Sequence, residues 1–184
     1  MAVIADRSVS RCDNIVTELL DFAHSRELQM ESRQFDEWVG DVLREYESGD
    51  GDVRIQCDLR CDATLAFDTG RLQRALINLL DNAHQAIRDA DYALTDGRLS
   101  IATRRCGTSV EIAVADNGVG IEQDDIERVF EPLFSTRSFG VGLGLPMVRQ
   151  VVEAHEGGIG LKSAPGVGTE VTVWLPLQNV EERA

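Results

Sequence analysis

Asp116 closes an alternating apolar run, Val-Glu-Ile-Ala-Val-Ala at 110–115, and Asn117, Gly118 and Gly120 follow it. A carboxylate at a strand end can accept hydrogen bonds from a ligand's N–H groups. Glycines beside it let the chain turn or let a flat ligand come close to the backbone. Alone, Asp-Asn-Gly reads first as a turn. A second group, Asn78, Asn82 and Gln85, lies on a helical pattern. At 100° per residue Asn82 falls about 40° from Asn78, and Gln85 about 20° to the other side. Their amide oxygens suit Mg²⁺, a hard ion usually completed by water and a substrate's phosphates, although a solvent-facing polar strip would carry the same pattern. A third group, Gly140, Gly142 and Gly144, precedes another helical stretch. A glycine-rich loop feeding a helix start offers backbone N–H groups and the positive dipole end to an anion. In Phe-Glu-Pro-Leu-Phe-Ser-Thr-Arg, 130–137, Phe130, Leu133 and Phe134 are placed to clamp a loop to the core, and Arg137 to reach a phosphate. Thr169 opens a further strand after Gly166 and Gly168.

The elements that must position these residues follow from periodicity. Residues 7–24 have an apolar stripe of Val9, Cys12, Val16, Leu19 or Leu20 and Ala23, the mark of an amphipathic helix. Residues 27–31 read as a connector or short strand, 34–48 as a second amphipathic helix, and 53–58 and 65–67 as strands. Asp68-Thr69-Gly70 opens a long helix to about Ala90, whose apolar face is Leu72, Leu76, Leu79, Leu80, Ala83 and Ile87. Strands are expected at 98–105 and 109–116, an irregular stretch at 121–143, a helix over 144–156, and strands at 158–163 and 168–176. Together they predict an α+β two-layer sandwich, with a mixed, mostly antiparallel sheet and helices on one face, preceded by the N-terminal amphipathic helix.

The 184 residues suffice for one domain with a real core. A net charge of −14 argues against a nucleic acid held through its phosphates and against direct contact with an anionic membrane. No apolar run approaches the roughly 20 residues that span a bilayer, and no signal-peptide pattern opens the chain; reduced cysteines fit the cytoplasmic location expected here, whether the full-length protein is membrane-anchored or soluble. The four cysteines, Cys12, Cys57, Cys61 and Cys106, contain no C-x-x-C pair. Cys57 and Cys61, on the side of Val53, Ile55 and Leu59, are expected to be small core residues.

Five patterns occur in one order: N-x-x-x-N at Asn78 and Asn82, D-x-G-x-G at Asp116–Gly120, F-x-x-x-F at Phe130–Phe134, G-x-G-x-G at 140–144 and G-x-G-T at 166–169. This series resembles the N, G1, F, G2 and G3 boxes of the GHKL ATP-binding superfamily, which has the Bergerat fold. The wording, "NLLDNAHQAI" and "GVGLGLPMVRQVVEAHEGG", is similar to the catalytic domain of bacterial sensor histidine kinases of the nitrogen-regulation type. The likeness covers about residues 28–178 and leaves 1–27 as part of a dimerisation hairpin and 179–184 as a tail. It implies that Asp116 accepts a hydrogen bond from the adenine amine, that Gly118 and Gly120 let the backbone approach the ring, and that Thr169 supports adenine through water. It also implies that Asn82, with Asn78 behind it, holds Mg²⁺ on the ATP triphosphate, and that 121–143 form the ATP lid. Gly140, Gly142 and Gly144 would wrap the phosphates, and Gln85, Ile121, Phe130, Arg137, Leu143 and Leu145 complete the implied nucleotide site. Asn78 and Arg137 are the implied catalytic positions.

The implied partners are ATP, a histidine-bearing dimerisation hairpin and the receiver domain of a response regulator, with a homodimer in the full-length protein. The phosphoacceptor histidine and its acidic neighbour are not expected within this sequence. His24 ends a helix without that motif, and His84 and His155 fall inside the ATP domain. Other departures are Arg137, where a lysine is frequent, and Glu156, inserted in His-Glu-Gly-Gly at a helix end. The superfamily also holds serine kinases of the anti-sigma-factor type, ATPases and nucleotide-sensing modules. The hydrolysing ATPases place a glutamate base where Asn78 stands, and a neutral amide cannot take a proton from water.

Overall fold

The computed structural model describes residues 27–47, 55–90, 96–135 and 141–177. The helix expected over 7–24, His24, Val53, Arg137 and Gly140 lie outside them. In chain order come β1 (Met30–Gln34), α1 (Phe35–Glu47), β2 (Ile55–Arg60), β3 (Thr64–Asp68), α2 (Thr69–Asp89), β4 (Leu99–Cys106) and β5 (Ser109–Asp116). Two single 3₁₀ turns follow, Gln123–Asp125 and Arg128–Phe130, then α3 (Gly144–Ala154), β6 (Gly158–Ala164) and β7 (Gly168–Pro176). Strands β1 and β3 pair antiparallel as a small separate sheet. The main sheet runs β2-β4-β5-β7-β6, with β2 parallel to β4 and every other pair antiparallel. The expected two-layer sandwich is therefore present, with the parallel pair at one edge.

Alternation decides which face of the sheet is covered. Val110, Ile112 and Val114 of β5 stand opposite Leu175, Val173 and Val171 of β7, and all six are buried. The helices complete that layer with Leu72, Leu76, Leu79, Leu80 and Ala83 from α2 and Val148 and Val152 from α3. Helix α2 starts where it does because Asp68, in extended conformation, accepts the Arg71 N–H on its side chain. Around α1, Phe35, Trp38 and Phe67 meet with ring centroids 5.0–5.8 Å apart. The Asp36 carboxylate beside them accepts the N–H groups of Cys61 and Asp62 at 2.9 and 3.0 Å.

The cysteine expectation holds for one residue and fails for the other. Cys61 is buried, and burial together with nearby Asp36 pushes its thiol up to about 11. Cys57 is exposed. The reason is topological: β2 ends at Arg60, so Cys61 belongs to the connection into β3, while Cys57 sits mid-way along an edge strand with a neighbour on one side only.

Candidate functional site

The inward face of the sheet turns polar at one end. Two residues beyond the Val114–Val171–Leu161 row, and so on the same face, Asp116 of β5 stands directly opposite Thr169 of β7, which stands opposite Ser163 of β6. The Asp116 Oδ1 accepts the Gly118 N–H at 2.8 Å, fixing the carboxylate over the turn it begins. Asn117 anchors the other side of that turn: its Oδ1 accepts from Arg98 N at 2.7 Å and its Nδ2 donates to the Asp96 carbonyl.

The glycines here have a structural reason of their own. A β-carbon at Gly118 would overlap the backbone of Ala86 in α2, where Val119 N–H also bonds the Ala86 carbonyl. At Gly120, φ is +71° and a β-carbon would overlap the Ala164 carbonyl, while Gly166 N–H bonds the Val119 carbonyl at 2.7 Å. Both close approaches are thus made within the chain. They tie the loop after β5 to α2 on one side and to the β6–β7 turn on the other.

A second cluster forms where α3 begins. A β-carbon on Gly144 would lie 3.2 Å from Asn78 Oδ1 and 3.4 Å from Asn82 Nδ2, so a side chain there would crowd both asparagines. Asn78 Nδ2 donates to the Arg74 carbonyl at 2.9 Å, one turn back along α2, which leaves its oxygen end toward Gly144. Gln85 is not gathered in. It is exposed and donates to Asp89 along the same helix at 2.7 Å. Leu143 is buried and precedes α3 as its cap residue, with no side-chain cap on the first-turn N–H groups, and Leu145 packs partly into the core. Gly142, at φ +73°, brings its carbonyl to the Leu133 N–H at 3.0 Å.

Between the clusters runs the loop from Ile121. Phe130 is buried under the Arg149 guanidinium of α3, 4.1 Å from the ring centre, and Phe134 lies under Arg128 at the same distance. Leu133 does not clamp the loop as expected, being 68% exposed. It occupies a left-handed turn, φ 67°, in which its backbone closes on Gly142 and its side chain points to solvent.

Two histidines are used inside the fold. His155, 3% exposed, accepts the Asp68 N–H on Nε2 at 2.9 Å, so its Nδ1 carries the proton and donates to the Val151 carbonyl. His84, 8% exposed, stacks on Tyr46 and bonds its hydroxyl through Nδ1 at 2.8 Å. That hydroxyl also reaches Asp81, and burial, then Asp81, raise its proton affinity. Nothing in the sequence boxes singles out Ser163. The available signal is parity: Ile159 and Leu161 place Ser163 on the inward face, where a polar residue is out of pattern. Its hydroxyl accepts the Ile121 N–H at 2.9 Å, the first backbone donor of the loop.

Residues 67–179 match the histidine kinase-, DNA gyrase B- and HSP90-like ATPase family. The chain belongs to that family. Among relatives, it is 31% identical to the sensor histidine kinase ZraS of Klebsiella oxytoca over 99% of its own length and 39% of that protein's. It thus spans about two fifths of the length of the curated ZraS relatives it matches. Among solved structures, full-length ShkA in complex with AMPPNP superposes with a TM-score of 0.77 at 25% identity, covering 97% of this chain and 39% of that one. Histidine kinase ThkA in complex with response regulator TrrA gives 0.75 at 24% identity, covering 95% of this chain and 50% of that one. The fold is that of a histidine kinase catalytic region.

Proposed function

We propose that this chain is the ATP-binding catalytic domain of a sensor histidine kinase, supplying the γ-phosphoryl group to a histidine on a dimerisation hairpin for relay to a response regulator aspartate. The observation that carries the reading is a juxtaposition. A sheet-held carboxylate, Asp116, begins a turn seated on Ala86 of α2, while Asn82 and Asn78, one and two turns back along the same helix, meet Gly144 at the start of α3. The first end suits a base that donates from an exocyclic amine, and the second suits a phosphate chain.

Adenine sits with its amine on Asp116. The first-turn N–H groups of Gly144 and Leu145 take phosphate oxygens, and the family resemblance adds Gly140 and Arg137, which lie outside the described residues, to the phosphate contacts. No group of three or more acidic, histidine or cysteine side chains capable of holding a metal exists among the described residues. The amide oxygens of Asn78 and Asn82 are therefore a partial shell that fits Mg²⁺ only together with phosphate and water oxygens. When bound, the ion neutralises charge on the triphosphate. The residues of the chain orient the nucleotide for in-line transfer, and catalysis rests on that positioning. With an amide at position 78 and no carboxylate there, the domain lacks a base for water, which favours transfer to an external acceptor over hydrolysis. The burial of His84 and His155, with both ring nitrogens of His155 bonded within the chain, supports an acceptor elsewhere. ThkA's complex with a response regulator supports the receiver domain as the downstream partner.

Calorimetric titration with Mg²⁺-ADP tests the base site. Asp116→Asn places an amide where the amine's acceptor stood, and affinity is expected to fall by about 1.5–3 kcal/mol, the scale of a hydrogen bond to a charged group. Equal affinity in variant and wild type would overturn the assignment.

A further inference from the structure

The hydroxyl of Ser163 makes three hydrogen bonds, and their protons can be counted. It accepts from Ile121 N at 2.9 Å, donates to the Gly168 carbonyl at 2.9 Å and lies 2.8 Å from Thr169 Oγ1. A serine hydroxyl has one proton. The carbonyl cannot donate, so that proton belongs to Gly168. The 2.8 Å contact must then be made with the Thr169 proton. Thr169 Oγ1 is left with lone pairs only. It stands beside Asp116 in the adjacent strand, and the Asp116 carboxylate, taking the Gly118 N–H, is likewise an acceptor.

We propose that Ser163 is a specificity-determining residue that acts through Thr169: by consuming the threonine's proton it makes the polar end of the sheet an acceptor-only surface. Such a surface selects a purine carrying an exocyclic amine, contacted directly or through a water that donates both ways. It disfavours one carrying a carbonyl in that place, because the carbonyl then finds no donor and the acceptor that took the amine loses its own. The backbone context keeps the arrangement rigid. Gly168, at φ +128°, lies so close to Asp116 that a β-carbon would overlap the Asp116 carbonyl, and Ser163, Thr169 and Asp116 occupy consecutive ladder positions. The inference rests on the assignment of the base to Asp116.

The test is a ratio. Wild type, Ser163→Ala, Ser163→Cys and Ser163→Thr are titrated with Mg²⁺-ADP and with Mg²⁺-inosine diphosphate, which differ at the exocyclic group and the adjoining ring nitrogen. Wild type is expected to prefer ADP. In Ser163→Ala the Thr169 hydroxyl is free to turn and donate, so the preference should shrink by roughly threefold to tenfold, the worth of one ordinary hydrogen bond. Ser163→Thr keeps a hydroxyl and should keep the preference. Loosening of Ile121 alone would weaken both nucleotides alike and leave the ratio unmoved. Should the alanine variant not fold, Ser163→Cys, nearly isosteric and a poor acceptor, is expected to move the ratio the same way. A full wild-type preference in both the alanine and cysteine variants would overturn the role of Ser163 and leave the base site standing. A wild type that binds both nucleotides equally would overturn the base site and this inference together.

Discussion

The two ends of the site are built on different terms. At the base end every position is fixed by the sheet. Asp116, Thr169 and Ser163 are held by ladder register, and Gly118 and Gly120 are locked against Ala86 and Ala164 by backbone contacts that admit no side chain. At the phosphate end the parts are a helix terminus and amides: the first turn of α3, without a side-chain cap, and the Asn78 and Asn82 side chains that lie against Gly144. The first arrangement is complete without a ligand. In the second, under the proposed function, the N–H donors and amide oxygens would be completed by phosphate and metal. On the proposed assignment, recognition of the base follows from the fold, and recognition of the phosphates follows from the complex.

Substitutions at the two ends should separate along that line. Gly120→Ala forces a β-carbon into the Ala164 carbonyl from a left-handed conformation. It should lower unfolding stability by about 2–4 kcal/mol in denaturant titration, from strain and overpacking together. A stability loss below about 1 kcal/mol would mean the base end is not rigid. Asn82→Ala should leave the fold nearly intact and remove most of the gain in ADP affinity on adding Mg²⁺, about 1.5–3 kcal/mol for a contact to a charged partner. An unchanged ratio of affinities with and without Mg²⁺ would remove Asn82 from the metal. Gly144→Ala brings a β-carbon to 3.2 Å from Asn78 Oδ1. Helix propensity gains what crowding loses, so melting should shift little while Mg²⁺-nucleotide affinity drops by about 1 kcal/mol. The reverse pattern, lost stability with intact affinity, would erase the contrast between the ends.

The smallest effect is expected at the far end of α3. Glu156 has φ 60° and follows the helix, with Gly157 N–H bonding the Val152 carbonyl at 2.9 Å. Glu156→Gly relieves the left-handed strain and should stabilise the domain by about 0.5–1 kcal/mol in thermal melts, with no change in nucleotide affinity. A change in affinity would show that this helix end is coupled to the phosphate end.

Most of this arrangement could be read from residues whose spacing is constrained twice. The limits of β5 and the start of α2 are marked both by apolar periodicity and by a polar residue at the boundary, Asp116 and Asp68, and both elements fall where expected. The fold class followed from the order of such elements. What escaped depends on contacts distant in sequence. Cys57 looks like a core residue until β2 proves to be an edge strand. Leu133 looks like an anchor until its backbone adopts a left-handed turn against Gly142. The glycines after Asp116 suggest room for a ligand, whereas their tightest neighbours are Ala86 and Ala164, both more than 30 positions away. Ser163 escapes because a single serine at a strand end carries no pattern, and only its three partners give it a role.

The central claim is that this domain carries the donor half of a phosphotransfer whose acceptor is not one of its buried histidines. Incubation with γ-labelled ATP and Mg²⁺, alone and with the histidine-bearing hairpin of the corresponding full-length kinase, followed by acid treatment and peptide mapping, tests it directly. The account predicts acid-labile label on the hairpin and none on the peptides containing His84 or His155. Acid-labile label on either of those peptides, or a hairpin left unlabelled while Mg²⁺-ATP is bound, would contradict it.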